Sequence, residues 1–375
     1  MRYLTNHIIK DLAKKMVFVG GPRQVGKTTL AKALIRDFFS DGEYFNWDYD
    51  EDRNDLLAKR WKKNADIIVF DELHKYPHWK NWIKGLYDVS DNDTSILVTG
   101  SARLDVYRRG GDSLMGRYHY WRLHPFGLDE IPDGISPNDA LKRLMTVGGF
   151  PEPFLDGDER EARRWRRERI DRVIREDIRD LESVRNITLI GLFLDQLRRR
   201  VGALLVMSNL ATDLQISPKT SASWLEILEK MYLIFIVKPY TKNLQRAIQK
   251  PPKAFFYDNA DVIGDKGAVF ENLVASHVLK KINFLQDRDG YQYELKYIRD
   301  KEGREVDFVV VRDGYIEELI EVKYSDTSVS KHLQYYANKL NPEKATQIVC
   351  KLKRPYSSGK IEVVDPISYF SKFTS

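Results

Sequence analysis

Residues 17–30 read VFVGGPRQVGKTTL. An apolar run meets two glycines, and after a short turn Lys27, Thr28 and Thr29 open a helical pattern. Gly21-Pro22-Arg23-Gln24-Val25-Gly26-Lys27-Thr28 satisfies G-x-x-x-x-G-K-[ST] at every fixed position. The spacing has a chemical purpose. Successive backbone N–H groups curl around a β-phosphate, and the helix N-terminus adds partial positive charge. Lys27 is expected to reach the β- and γ-phosphates, and Thr28 to offer its hydroxyl to Mg²⁺. Residues Gly21 to Thr29 are the expected nucleotide-binding stretch.

Working outward, the strand at Met16–Val19 leads through this turn into a helix over Thr28–Phe39. Further strands are expected at Tyr44–Trp47, Asp66–Phe70, Ser95–Thr99 and Tyr118–Leu123. Strands alternating with helices at this spacing imply an α/β fold with a parallel sheet covered on both faces. The third strand ends in Asp71-Glu72. Asp71 is placed to hold Mg²⁺, and Glu72 to orient or deprotonate an attacking water, which implies hydrolysis rather than binding alone. Ser101, just past the fourth strand, is the expected polar sensor of the γ-phosphate, with Thr99 as alternate, because ligands of open parallel sheets sit at the carboxyl ends of the strands.

The segments GPRQVGKTTL, VFDELHK, TGSARL, LMGRYHYWRLHPFGLDE and VGGFPEP together resemble the bacterial and archaeal AAA-type ATPases that carry an appended C-terminal domain of unknown function. The resemblance covers most of the chain. It implies an AAA-type core and ATP as the nucleotide. Where that family has a serine-rich stretch after the fourth strand, this chain has SARLDVYRRGGDS. The resemblance also implies an arginine finger, an arginine that neutralises transition-state charge from a neighbouring subunit. Arg117 is the first choice, and Arg103, Arg108 and Arg109 are its rivals. A finger in trans requires a homo-oligomer.

After Ile131-Pro132-Asp133-Gly134 the pattern turns helical, from Pro137 to about Met231. The stretch Glu161 to Leu181 is dense in arginine with interleaved acids, a salt-bridged surface or a phosphate-tracking one. SNLATDLQISPKTSASWLEILEKMYLIFIVKPY, residues 208–240, has the rhythm of a winged helix: a helix over Asn209–Leu214, a turn, and a second helix capped by Ser217 with Pro218 at its first position. Lys219, Ser221 and Ser223 are expected outward, but so are Glu226 and Glu229, which makes a poor reader of bases. The basic, proline-rich Lys238–Pro252 reads as a linker or wing. Residues 1–135, 136–250 and 251–375 are the expected ATPase, helical winged-helix-like and C-terminal domains.

The last domain holds REVDFVVVRDGYIEELIEVKYS, residues 304–325, with acids and a lysine inside apolar strands. Glu321 and Lys323 are two apart and share a face. If Arg312-Asp313-Gly314 forms a three-residue loop, Asp307 joins them; a two-residue turn puts it on the opposite face. Asp307, Glu321 and Lys323 resemble the PD-(D/E)xK nuclease signature, although Val306 stands where its proline would be. Glu271, in VFENLVASHVLKKI, matches the acid such nucleases carry on their first helix. The resemblance implies Mg²⁺ on Glu271, Asp307 and Glu321, Lys323 steadying the nucleophile, and cleavage of DNA. The other expectation is a nuclease-like fold kept for binding a protein or nucleic acid.

Composition bounds these readings. The chain has 375 residues, 42% hydrophobic and 31% charged, and so is globular with more than one core. A net charge of +6 suits an acidic polymer such as DNA as partner without requiring one. The single cysteine, Cys350, excludes a disulfide framework and fits a reducing, cytoplasmic setting. The polar, amphipathic stretch MRYLTNHIIKDLAKK leads to the expectation of no signal peptide, and the longest apolar run, Met231 to Val237, is far short of the ~20 residues a span needs.

Overall fold

The structure is a computed structural model that describes residues 1–89, 94–101, 114–178, 187–241 and 250–371. The rival arginines Arg103, Arg108 and Arg109 lie outside the described residues. The chain divides into two compact units, Met1–His124 and Pro125–Ser375.

The first unit begins with helix α1 (Thr5–Leu12) and strand β1 (Met16–Gly20), which feeds α2 (Lys27–Phe38). Then follow β2 (Gly42–Asn46), α3 (Asp50–Leu57), β3 (Ile67–Asp71), α4 (Trp79–Val89), β4 (Ser95–Thr99) and β5 (Tyr118–Arg122). The five strands form one sheet in the order β2-β3-β4-β1-β5, every pair parallel. β1 and β3 are buried at every residue, which is why both read as unbroken apolar runs rather than alternating ones. Phe18, Phe45, Phe70, Trp79 and Ile83 fill a core on one side of this sheet. The order matters for chemistry: β4 lies between the strand that feeds the glycine turn and the strand that ends in the acids.

The second unit opens with α5 (Pro137–Thr146), α6 (Pro151–Asp156) and α7 (Glu159–Arg172), the last running into a π-helical turn at Val173–Ile178. Next come α8 (Ile187–Arg198), α9 (Met207–Asp213), α10 (Pro218–Lys230), β6 (Ile234–Pro239) and β7 (Lys253–Phe256). The long α11 (Lys266–Asp289) precedes β8 (Tyr293–Arg299), β9 (Glu305–Arg312), β10 (Tyr315–Lys323), α12 (Lys331–Leu340), β11 (Lys344–Val349), β12 (Tyr356–Ser358), β13 (Ile361–Val364) and α13 (Pro366–Phe370). Eight strands make a mixed sheet, β12-β13-β11-β10-β9-β8-β6-β7. Phe270, Leu273, Val274 and Val278 of α11 pack with Phe308, Val310 and Ile320 of the sheet. Leu333, Tyr336 and Ala337 of α12 pack with Val309, Val311 and Leu319.

Several expectations need correction here. Of Lys238–Pro252, read as a linker or wing, residues 242–249 lie outside the described residues; β6 and β7, which flank them, pair antiparallel as the arms of a wing would and form the edge of the eight-stranded sheet. Leu128, Ala140, Leu144 and Phe154 share the α11 core, so the helical stretch and the C-terminal strands bury one apolar surface rather than two. Ser221, expected outward, is fully buried and its hydroxyl meets Met207 Sδ; Trp224 and Leu228, three and seven residues on, share its inward face. The arginine-rich helix is not wholly a surface. Arg169 is buried, donates to Asp261 at 2.8 Å and lies 4.3 Å from the Phe150 ring centroid.

The β9–β10 hairpin also departs from the expected loop. Arg312 pairs with Tyr315 across a two-residue turn in which Asp313 and Gly314 both have positive φ, 48° and 85°. That turn alone would turn Asp307 away from Glu321. One irregularity undoes the count: β10 carries an extra residue between Ile316 and Glu318, so the ladder runs on to set Asp307 opposite Glu321; a separate shift lies where β9 meets β8, between Lys296 and Ile298. Glu317, at the first shift, pairs with Arg312 at 2.9 Å. The β9–β10 pairs end at Ile320 with Phe308, and beyond them the Asp307 carboxylate accepts the Val322 N–H at 2.8 Å.

Candidate functional site

The cradle is built on backbone that glycine permits. Gly21 has φ 144° and Gly26 φ 96°, and a Cβ on Gly21 would lie 2.3 Å from the Leu123 carbonyl oxygen. The turn is pressed against the end of β5. Arg2 braces the same place, donating from Nη1 to Val25 O at 2.9 Å and from Nη2 to His124 O. Lys27, the first residue of α2, is buried and donates to Gly21 O at 3.2 Å and Pro22 O at 2.7 Å. A phosphate entering the turn would exchange these carbonyls for charged oxygens.

Across the intervening strand, Thr28 Oγ1 donates to Asp71 Oδ2 at 2.6 Å. Thr99, at the end of β4, donates to Asp71 Oδ1, and Tyr44 of β2 donates to Oδ2 at 2.7 Å. Two strands and a helix therefore fix one carboxylate carried by a third strand. Burial and the neighbouring Asp71 keep the Tyr44 phenol protonated. Thr28 and Asp71 fit a magnesium ion: a hydroxyl and a carboxylate oxygen, both hard donors of the kind magnesium takes, meet beside the cradle.

Glu72 leaves β3 in the left-handed region, φ 57°, and its N–H donates to Thr99 O at 2.9 Å. Burial pushes its carboxyl above the ordinary range, against the opposing pull of Lys27 and Lys75. Lys75 Nζ and His74 Nε2 each lie 3.6 Å from Glu72 Oε2. His74 Nε2 is also 3.3 Å from Ser101 Oγ. The sequence reading missed His74, Tyr44 and Arg2. For His74, a histidine two residues after the expected base was a usable signal.

Arg117 is elsewhere. It directly precedes β5, whose Tyr118 pairs with Met16, while Gly20 at the cradle end pairs with Arg122. Four strand steps, about 13 Å at ~3.3 Å per residue, separate the two ends. Arg117 instead grips Asp88, at 2.7 and 3.1 Å.

In the second unit Asp307, Glu321, Lys323 and Glu271 are brought together, and a residue not expected lies among them. Lys323 Nζ is 2.8 Å from Glu321 Oε1. Lys253, the first residue of β7, is buried; its Nζ bonds Glu305 and lies 3.8 Å from Glu271 Oε1. Burial pushes the Asp307 carboxyl up, and Glu321 pushes it further. Burial and then Asp307 do the same to Glu271. Glu271 Oε1 and Glu321 Oε2 are buried without a hydrogen-bond partner. The residues present do not fit the divalent metal that the nuclease signature implies. Among the described residues no three Asp, Glu, His or Cys side chains are grouped to ligate one, and an ammonium already stands beside the carboxylates.

Residues 13–132 match the family model of the AAA domain. Residues 138–260 and 266–370 match two models of domains of unknown function, DUF8612 and DUF4143. With the parallel sheet and the glycine turn, the first unit is an AAA-type P-loop domain. An uncharacterised protein of Methanocaldococcus jannaschii is 24% identical over 382 residues, covering 92% of this chain and 83% of that protein. One from Mycobacterium tuberculosis is 22% identical over 245 residues, covering 65% of this chain and 54% of its own. Among solved structures, a point variant of Thermotoga maritima RuvB overlaps 62% of this chain and 88% of its own at 15% identity and TM-score 0.32. Bacteroides Pif1 bound to single-stranded DNA overlaps 38% and 44% at 12% identity and TM-score 0.21. Scores this low do not define a shared fold. No helix among the described residues is long and apolar enough to cross a membrane.

Proposed function

We propose that the chain is a cytoplasmic ATPase that binds and hydrolyses ATP at the cradle and acts on, or is regulated by, DNA. One observation carries the ATP reading: Lys27, Thr28, Asp71, Glu72 and Ser101 converge at the carboxyl ends of β1, β3 and β4. In this reading Gly21 to Thr29 enclose the phosphates and Lys27 pairs with the β- and γ-phosphoryl oxygens. Thr28 and Asp71 would hold Mg²⁺, which neutralises charge on those oxygens. Glu72 positions a water and takes its proton, a task its raised affinity for protons favours. Ser101 senses the γ-phosphate and passes its position to Glu72 through His74. Arg117 completes the site of a neighbouring copy.

The DNA reading rests on the basic balance of the chain and on the exposed arginines of α7, among them Arg163 and Arg167. A second reading, an ATP-gated switch whose nuclease-like C-terminal domain only binds a protein or nucleic acid, is favoured by the ammonium of Lys253 standing among the carboxylates where cleavage would need a metal. The test is ATP turnover by the full chain with Mg²⁺, with and without duplex or single-stranded DNA. Magnesium-dependent turnover lost in Lys27→Ala, and accelerated by DNA, is the expected result. Absence of turnover overturns the enzyme reading, and indifference to DNA overturns the partner.

A further inference from the structure

We propose that Lys253 is the resident cation of the C-terminal carboxylate centre, standing where a divalent metal would otherwise be required. The centre gathers Glu271 from α11, Glu305 and Asp307 from β9, and Glu321 from β10. Four carboxylates so close together, Glu321 buried and the others half-buried, demand positive charge. A metal-dependent site supplies it as an ion taken from solution. Here the chain supplies it covalently.

The position of Lys253 is built, not incidental. Its ammonium is bonded to Glu305, lies 3.8 Å from Glu271 and sits 5.3 Å from the Tyr297 ring centroid. Tyr297 is itself held, its hydroxyl donating to Pro251 O at 2.6 Å. The backbone is fixed on both sides: Lys253 bridges Leu204, Leu205 N–H donates to Pro252 O, and Gly202 N–H to Ala254 O. Gly202 closes over Glu271 so tightly that a Cβ there would lie 2.7 Å from both carboxylate oxygens. The other carboxylates are also engaged. Glu321 has Lys323, Glu305 has Arg299 at 2.9 Å, and Asp307 has the Val322 N–H.

A divalent ion entering here meets two obstacles. Its inner-sphere oxygens must approach to about 2.0–2.1 Å for magnesium, and the Lys253 ammonium already engages Glu305 and stands beside Glu271 in that space. It must also lie beside a fixed ammonium that repels it. Removing the ammonium while keeping the carboxylates therefore creates a metal site that the natural chain lacks. The unpartnered oxygens of Glu271 and Glu321 are the groups that such an ion would satisfy.

The experiment counts Mn²⁺ bound to the full chain without nucleotide, reading free Mn²⁺ by electron paramagnetic resonance. It does not involve ATP turnover, so its outcome is independent of the ATPase reading. Wild type and Asp307→Asn are expected to bind Mn²⁺ identically, which assigns whatever they bind to other places. Lys253→Met is expected to gain Mn²⁺ binding, with affinity higher by about tenfold or more, and to lose that gain when Asp307→Asn is added. Lys253→Arg keeps the charge and gains nothing. Mn²⁺ binding by wild type that disappears in Asp307→Asn overturns the proposal, as does a folded Lys253→Met chain with no gain. If Lys253→Met does not fold, the comparison of wild type, Lys253→Arg and Asp307→Asn still decides: Asp307-dependent Mn²⁺ in either lysine- or arginine-bearing chain overturns it.

Discussion

Thr28, on the helix that follows β1, meets Asp71, at the end of β3, at 2.6 Å although β4 lies between those two strands. The sheet order makes this productive. β4 enters between β1 and β3, and its last residue, Thr99, takes the other oxygen of the same carboxylate. Nucleotide binding and the hydrolytic step should therefore separate by residue. Lys27→Ala is expected to abolish ATP binding, read by fluorescent nucleotide titration. Glu72→Gln should bind ATP and lose turnover by about 10²–10⁴-fold, the usual worth of a general base. Undiminished turnover in Glu72→Gln would assign the base elsewhere.

His74 touches both Glu72 and Ser101 and is buried. As a positioning residue it should affect the rate and not the binding. His74→Ala is expected to lower kcat about tenfold, the cost of one lost hydrogen bond at ~1.4 kcal/mol, with KM for ATP unchanged. A rise in KM at constant kcat would make His74 part of the binding surface instead.

Gly21 offers a test of the cradle by geometry alone. With φ 144° and the Leu123 carbonyl in the path of a Cβ, Gly21→Ala should destabilise the chain by about 1–3 kcal/mol. Urea unfolding measures it. The same change should weaken nucleotide binding, because the loop can relieve the clash only by moving off the end of β5.

Arg117 begins at the end of the sheet away from its own cradle. Arg117→Ala and Glu72→Gln chains should each be inactive alone. Mixed, they should recover part of the wild-type ATPase rate, because a cradle with Glu72 can then receive Arg117 from the other chain. A mixture as inactive as its components removes Arg117 from the chemistry and leaves it as the partner of Asp88.

A pH effect follows from His277 on α11. Its Nδ1 lies 2.8 Å from Leu273 O, and its Nε2 accepts the Leu128 N–H at 3.1 Å, so the neutral ring is the form that fits. Burial first, then the charge of Lys280, pulls its pKa down to about 3. Asp129 and Glu130, which pair with Lys280 at 3.0 and 2.6 Å, face the same place. Below the unfolded value of about 6.5, the unfolded chain takes a proton that the folded chain refuses, so stability falls as pH falls. Between pH 6.5 and 5 the loss is about 2 kcal/mol. Urea melts at the two pH values should show it, and His277→Gln should flatten the slope by that amount.

The cradle was legible because its function is local: a strand, a glycine turn and a helix lie within one short stretch, and the acid strand announces itself by an apolar run ending in two acids. The second centre was half legible. Asp307, Glu321, Lys323 and Glu271 are legible from their types, but the turn holds two residues rather than three, and the register shift on β10 does the joining. Lys253 was invisible because it comes from the far side of a stretch that reads as a linker or wing, neither of which carries a site residue. Its role depends on β7 pairing with β6 at the sheet edge, a long-range fact that no local periodicity records. Ser221 was misplaced for a plainer reason: the helix was read for polarity, while its inward face is set by Trp224 and Leu228.

The extra residue near Glu317 has a consequence for relatives not yet found. Because β10 carries one more residue than β9 across that step, a chain without it could run a flush ladder and keep every pair beyond it. The interval between the first acid and the later Glu-x-Lys pair is then elastic by one position while the geometry stays constant. A search that demands a fixed interval will pass over chains bearing the same centre, and an alignment that forces the interval to match will set the wrong acid beneath Asp307.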